Sequence, residues 1–193
     1  MKTSTEVIKI LEEVGALLSG HFLLSSGKHS DRYCQCAKLF EHQDKARAVV
    51  KAVAERIKPQ MAELKPDLIV GPAMGGVIAA YELGAQLGLR NIFTERVDNV
   101  MTLKRGFAIE KGERVIIMED VVTTGKSSGE AAEIVRGLGG EVVALACVLD
   151  RSVEELPLPL FSAAKLDIKV YDPAGCPLCR QGLPVVKPGS RKF

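Results

Sequence analysis

Two adjacent acids, Glu119 and Asp120, close an apolar run, and hydroxyls and a glycine follow at Thr123, Thr124, Gly125, Ser127 and Ser128. Ionised carboxylates only accept hydrogen bonds, so such a pair suits sugar hydroxyls or a hard cation. Backbone amides where a glycine-containing loop opens a helix face an anion. Side by side, the two chemistries suit a ribose phosphate. Gly125-Lys126-Ser127 also matches the end of a P-loop, but that loop needs a glycine where Asp120 stands, which disfavours an ATPase. An ordinary strand and capped helix is the plain alternative, and it leaves the burial of two neighbouring acids uncompensated.

Several elements must position these residues. Val115 to Met118 has the length and β-branching of a fully buried central strand, and a helix is expected over Gly129–Leu138, closed by Gly139-Gly140. A further strand over Glu141–Leu149 ends in Asp150-Arg151, which puts Arg151 on the edge where open parallel sheets bind ligands. Upstream, the strand Asp67–Val70 runs into Gly71-Pro72-Ala73-Met74-Gly75-Gly76 and a helix from Val77 to Leu87. Strand, glycine-rich turn, helix is a setting in which amides approach a phosphate closely. Gln43 to Lys58 has helical spacing and Pro59 stops it. Thr3 and Glu6 offer a capping box for an N-terminal helix whose apolar stripe runs from Val7 to Leu18.

Between these elements, residues 20–33 fit short strands and a turn, and Asn91–Thr94 another strand. Glu95 to Gly112, with Arg96, Lys104, Arg105 and Lys111, fits a hairpin or mobile loop. The tail offers a strand around Leu166–Tyr171, a turn at Cys176-Pro177-Leu178-Cys179 and a Pro/Gly/basic ending from Lys187 to Phe193. The rhythm predicts a single α/β domain over residues 1–193: a mostly parallel twisted sheet flanked by helices on both faces, with a small hood from the terminal segments.

Composition narrows the partners. With 26 basic and 24 acidic residues the 193-residue chain carries a net charge of +2, too balanced to favour nucleic acid or a membrane surface. The lack of a long apolar run or signal-like segment leads to the expectation of a cytoplasmic protein. The five cysteines, at 34, 36, 147, 176 and 179, are expected to be reduced, and the single CxxC, with no second ligand pair after it, is incomplete as a zinc site. His21 and His29 read as exposed loop histidines, with no metal ligand expected.

Four apolar residues, two acids, two apolar residues and Thr-Thr-Gly, at 115–125, resemble the signature of the type I phosphoribosyltransferases. With Phe22 to Ser30, Gly71 to Gly76 and Leu149-Asp150-Arg151, the chain resembles the orotate phosphoribosyltransferase family over most of its length. The resemblance implies transfer of phosphoribosyl from phosphoribosyl pyrophosphate (PRPP) to orotate in pyrimidine synthesis, with magnesium bound mainly through PRPP, in a homodimer. It implies that Glu119 and Asp120 hold the ribose hydroxyls, that Thr123, Thr124, Gly125, Lys126 and Ser127 take the 5′-phosphate with Val121 and Val122 also against PRPP, and that Ala73, Met74, Gly75 and Gly76 face the pyrophosphate. Thr123 and Arg151 would meet orotate, with Tyr33 and Cys34 contacting the base through their backbone. Arg96, Lys104 and Arg105 are the nominated cations of the family's catalytic loop, whose usual Lys-Asp-His-Gly-like run is absent. Many members have lysine where Ser25 and Gly75 stand. The signature reads ribose phosphate and not the base, so a phosphoribosyltransferase for another nucleobase, or a non-catalytic PRPP-sensing regulator, are the alternatives.

Overall fold

A computed structural model describes residues 2–24 and 26–188. Ser25 of the N-terminal motif and residues 189–193 of the basic ending lie outside them. The first helix, α1 (Ser4–Glu13), opens with the expected capping box: Thr3 Oγ1 accepts from the Glu6 amide at 3.3 Å, and the Glu6 carboxylate accepts from the Thr3 amide at 2.7 Å. The apolar stripe does not stay helical to Leu18. Leu17 and Leu18 open strand β1 (Leu17–Leu23), which pairs antiparallel with β2 (His29–Cys34).

Helix α2 (Gln43–Ile57) ends where expected, and Pro59 sits in the 3-10 turn that leads to the one-turn α3 (Met61–Leu64). Then come β3 (Leu68–Pro72), α4 (Gly75–Leu87), β4 (Arg90–Val97), β5 (Val100–Thr102), β6 (Arg114–Val122), α5 (Lys126–Gly137), β7 (Glu141–Asp150) and β8 (Leu160–Lys165). The six-stranded sheet runs β5-β4-β3-β6-β7-β8, parallel throughout except for the β4–β5 hairpin. That hairpin turns through Asp98 and Asn99, both at positive φ, the residue types a tight primed turn favours. Strand β9 (Val170–Tyr171) joins β2, so both ends of the chain build a three-stranded hood, and α6 (Pro177–Arg180) follows it.

Successive side chains of a strand point to opposite faces. Ile116 and Met118 of β6 therefore pack with Val49, Val53, Ala80 and Leu83 of α2 and α4, while Val115 and Ile117 pack with Ala131, Ala132 and Val135 of α5. All four of these β6 residues are fully buried. The chain adds β4 on one side of β3 and β6 on the other, so the winding reverses between β3 and β6. Open α/β sheets bind ligands in the crevice beyond the strand ends at such a reversal.

Three expectations are corrected. Helix α5 starts at Lys126 and not at Gly129, so Lys126 and Ser127 belong to its first turn; Gly125, at φ +71°, makes the turn before it. The strand expected around Leu166–Tyr171 is only β9, and an unexpected strand, β8, precedes it, with residues 166–169 outside both. β8 reads Leu-Phe-Ser-Ala-Ala-Lys, poor in β-branched residues, and is held by pairing with β7 and by burial of Ala163 and Ala164. Finally, His21 and His29 are buried in the hood sheet and not exposed in a loop.

Candidate active site

Strand β6 carries Glu119, buried, and Asp120, half-buried, into the crevice. Glu119 is 7 % exposed, and Ser128 Oγ, in α5, donates to Glu119 Oε1 at 3.4 Å. Burial, and then the neighbouring Asp120 charge, push the Glu119 carboxyl up to about 8; Ser128 and the Arg96 charge oppose the shift. Burial likewise raises Asp120, whose Oδ1 accepts from the Val121 amide at 2.9 Å. A carboxylate pair this poorly supplied with donors is completed by sugar hydroxyls or a cation.

Gly75 is needed for this placement. A Cβ there would overlap the Asp120 side chain at Oδ2, so Asp120 takes this position only because residue 75 has no side chain. Together they wall a cleft of about 360 Å³ lined by Ala73, Met74, Gly75 and the continuous run from Glu119 to Ser128. Gly76 is buried beneath it, where a Cβ would crowd the Met118 carbonyl.

A second cavity, of about 670 Å³, shares Met74, Gly75, Asp120, Val121 and Thr123 with the first and continues under the hood to Tyr33, Cys34 and Arg151. The Asp150 carboxylate accepts from the Ser152 amide and hydroxyl at 2.8 and 2.6 Å, and the Arg151 amide donates to Val122 O at 2.8 Å, fixing the turn that presents Arg151. Arg151 Nε is buried and has no hydrogen-bond partner among the described residues. A buried guanidinium donor left unmatched is costly unless a ligand accepts from it.

The three nominated loop cations line neither cavity. Arg96 is paired with Glu130 of α5 and donates to Asn99 O, and Arg105 is paired with Glu95 and lies 5.6 Å from the Phe93 ring centroid. Lys104 is exposed and makes no ion pair with any described residue. Arg32, Gln35, Lys187 and Pro188, not expected at the site, also line the second cavity. Val186 brings the last two there: its amide donates to His21 O at 2.8 Å and its carbonyl accepts from the Leu23 amide at 2.9 Å. The basic character of the tail was the one available signal.

Residues 37–161 match the model of the phosphoribosyl transferase domain. The chain is 50 % identical over 190 residues to an orotate phosphoribosyltransferase of Caldanaerobacter subterraneus subsp. tengcongensis, covering 97 % of this chain and 98 % of that protein. The chain belongs to the orotate phosphoribosyltransferase family. In structure it resembles the orotate phosphoribosyltransferase of Aeropyrum pernix, with a TM-score of 0.69 and 26 % identity over 83 % of this chain and 93 % of that one. Adenine phosphoribosyltransferase of Saccharomyces cerevisiae shares the fold alone, at a TM-score of 0.63 and 20 % identity over 81 % of this chain and 99 % of that one. Against the family's frequent lysine, Gly75 exchanges a cation at the cleft for close approach of Asp120.

Proposed function

We propose that this protein, as a single domain, transfers the 5-phosphoribosyl group from PRPP to orotate, giving orotidine 5′-monophosphate and pyrophosphate in the synthesis of UMP. The observation that carries this reading is the junction of the two cavities at Asp120 and Thr123, with the acid pair and amide-rich turn on one side and the unmatched Arg151 Nε on the other. The bond from C1 of the ribose to pyrophosphate breaks, a bond from C1 to a ring nitrogen of orotate forms as that nitrogen gives up its proton to water, and the ribose passes through an oxocarbenium-like state. Glu119 and Asp120 accept from the ribose hydroxyls and stabilise the developing positive charge. Amides and hydroxyls from Thr123 to Ser127 hold the 5′-phosphate at the start of α5, where the helix dipole favours an anion. Arg151 meets orotate with a planar fork that matches a carboxylate.

The residues present fit magnesium. Glu119 and Asp120 offer oxygen donors alone, and as two side chains they leave positions for substrate oxygens and water, as that ion prefers. Bound with PRPP, it would neutralise charge on the departing pyrophosphate. Because Arg96, Lys104 and Arg105 line neither cavity of their own chain, the reading includes a homodimer in which the 95–112 segment serves the neighbouring site. A cytoplasmic location is part of the same reading; no described helix is long and apolar enough to cross a membrane.

The deciding experiment is a spectrophotometric assay of orotate consumption with PRPP and magnesium. Turnover dependent on both substrates is expected. Turnover of a purine with none of orotate reassigns the base, and binding of PRPP without turnover of any base makes the protein a sensor.

A further inference from the structure

We propose that His21, His29, Cys176 and Cys179 form a structural Zn(II) site that staples the C-terminal segment to the hood. The four ligand atoms, His21 Nε2, His29 Nδ1 and the two sulfurs, all lie within 4.8 Å of one another. A tetrahedral zinc with Zn–N near 2.0 Å and Zn–S near 2.3 Å sets nitrogen and sulfur about 3.5 Å apart. The corresponding separations here are 3.5 Å from Cys176 to His21, 3.7 Å from Cys179 to His21 and 3.3 Å from Cys179 to His29. The two nitrogens, at 2.8 Å, need to part by about half an ångström to accept the ion.

The surroundings prepare the ligands. His21 Nδ1 lies 2.8 Å from the Leu183 carbonyl, which can only accept, so Nδ1 carries the proton and Nε2 turns its lone pair toward His29 and the thiols. The β1–β2 register shifts between Ser19 and Phe22, and an irregularity of this kind re-aims side chains such as His21. His21, His29 and Cys176 are buried. Two imidazoles and two thiolates, with no carboxylate among them, select zinc over magnesium or calcium. Binding releases the two thiol protons and involves no electron transfer.

The staple has a consequence for the base cavity, and this part rests on the proposed reaction. Two residues beyond its hydrogen bond to His21 O, the same segment supplies Pro188 to the cavity wall, with Lys187 between. The metal thus sets the position of the tail that closes the cavity.

The test is the metal content of the full-length protein, purified under reducing conditions from zinc-supplemented cells, by elemental analysis and native mass spectrometry. One zinc per chain that survives buffer exchange is expected, lost in Cys176→Ser and in His29→Ala and kept in Cys147→Ala. Because a ligand variant can fail to fold, wild-type protein stripped by a chelator is also reloaded with Co(II). Intense visible bands of tetrahedral cobalt and a thiolate charge-transfer band are expected. Wild-type protein with no stoichiometric zinc, or a cobalt spectrum of octahedral oxygen coordination, overturns the proposal. Zinc-loaded protein inactive on orotate removes the reaction and leaves the staple; active zinc-free protein does the reverse.

Discussion

The crevice and the hood face each other across the second cavity and are built in opposite ways. The crevice takes its donors from one unbroken run, Glu119 to Ser128, presented by a strand whose four preceding residues are fully buried. The hood gathers its residues from both ends of the chain, through β1, β2, β9 and the segment that follows. A contiguous site on rigid elements depends on packing that any stable fold supplies. A site made by the chain's two ends depends on whatever ties those ends together. Damage to the crevice should therefore cost chemistry without stability, and damage to the hood should cost stability and base binding together.

Asp120→Asn is the sharpest way to break that contrast. It keeps the shape and removes a charge that the transition state uses, so turnover should fall by about two orders of magnitude or more. Burial already raises the Asp120 pKa, so the free protein gains nothing from ionising it, and the thermal midpoint should stay level or rise. Activity and stability moving down together in a combined kinetic and melting experiment would make Asp120 a structural acid. Arg151→Ala comes next. Losing a charged hydrogen bond costs about 1.5–3 kcal/mol, so KM for orotate should rise roughly tenfold to a hundredfold, with KM for PRPP changed far less. Equal changes in both would detach Arg151 from the base.

The different construction also explains what could be read in advance. The central strand, its helix and the acids were legible because their pattern is local: an apolar run, two acids, hydroxyls and glycine within a few turns of chain. Tyr33, Cys34, Thr123 and Arg151 line one cavity; the positions of Thr123 and Arg151 followed from pattern, while the nomination of all four for the base rests on family resemblance. The grouping of His21 and His29 with Cys176 and Cys179 was illegible because each pair looks incomplete alone, and only the β9–β2 pairing and the Val186 bridge bring them together. β8 was missed because alanines and a lysine carry weak strand preference, and a neighbouring strand decided the matter. The 95–112 segment was read as hairpin or loop, but ion pairs of Arg96 and Arg105 that depend on tertiary neighbours could not be foreseen.

Metal removal tests the hood half of the contrast at smaller amplitude. Chelation should lower the thermal midpoint by several degrees, since metal bound only by the folded state adds to stability, and should raise KM for orotate a few-fold while leaving that for PRPP. Differential scanning calorimetry and initial rates on the same samples would separate the two effects. A drop in PRPP binding alone would mean that the crevice, and not the hood, depends on the metal.

The last effect is on pH dependence, and it concerns the crevice without its ligands. Glu119 titrates near 8 in the folded protein against 4.5 as its ordinary value, so the folded state holds that proton more tightly. Its contribution to stability is fully present below pH 4.5 and is lost progressively as pH rises toward and through 8. Glu119→Gln removes that loss. The variant should match the wild type at the acid end of this window and become the more stable protein at its alkaline end, as measured by denaturant unfolding at a series of pH values. Magnesium and PRPP favour the ionised carboxylate, so adding them to the wild type should shrink the difference. A gap between the two proteins that stays constant with pH would place Glu119 in a wetter site, and the crevice would then owe less to desolvation than its burial implies.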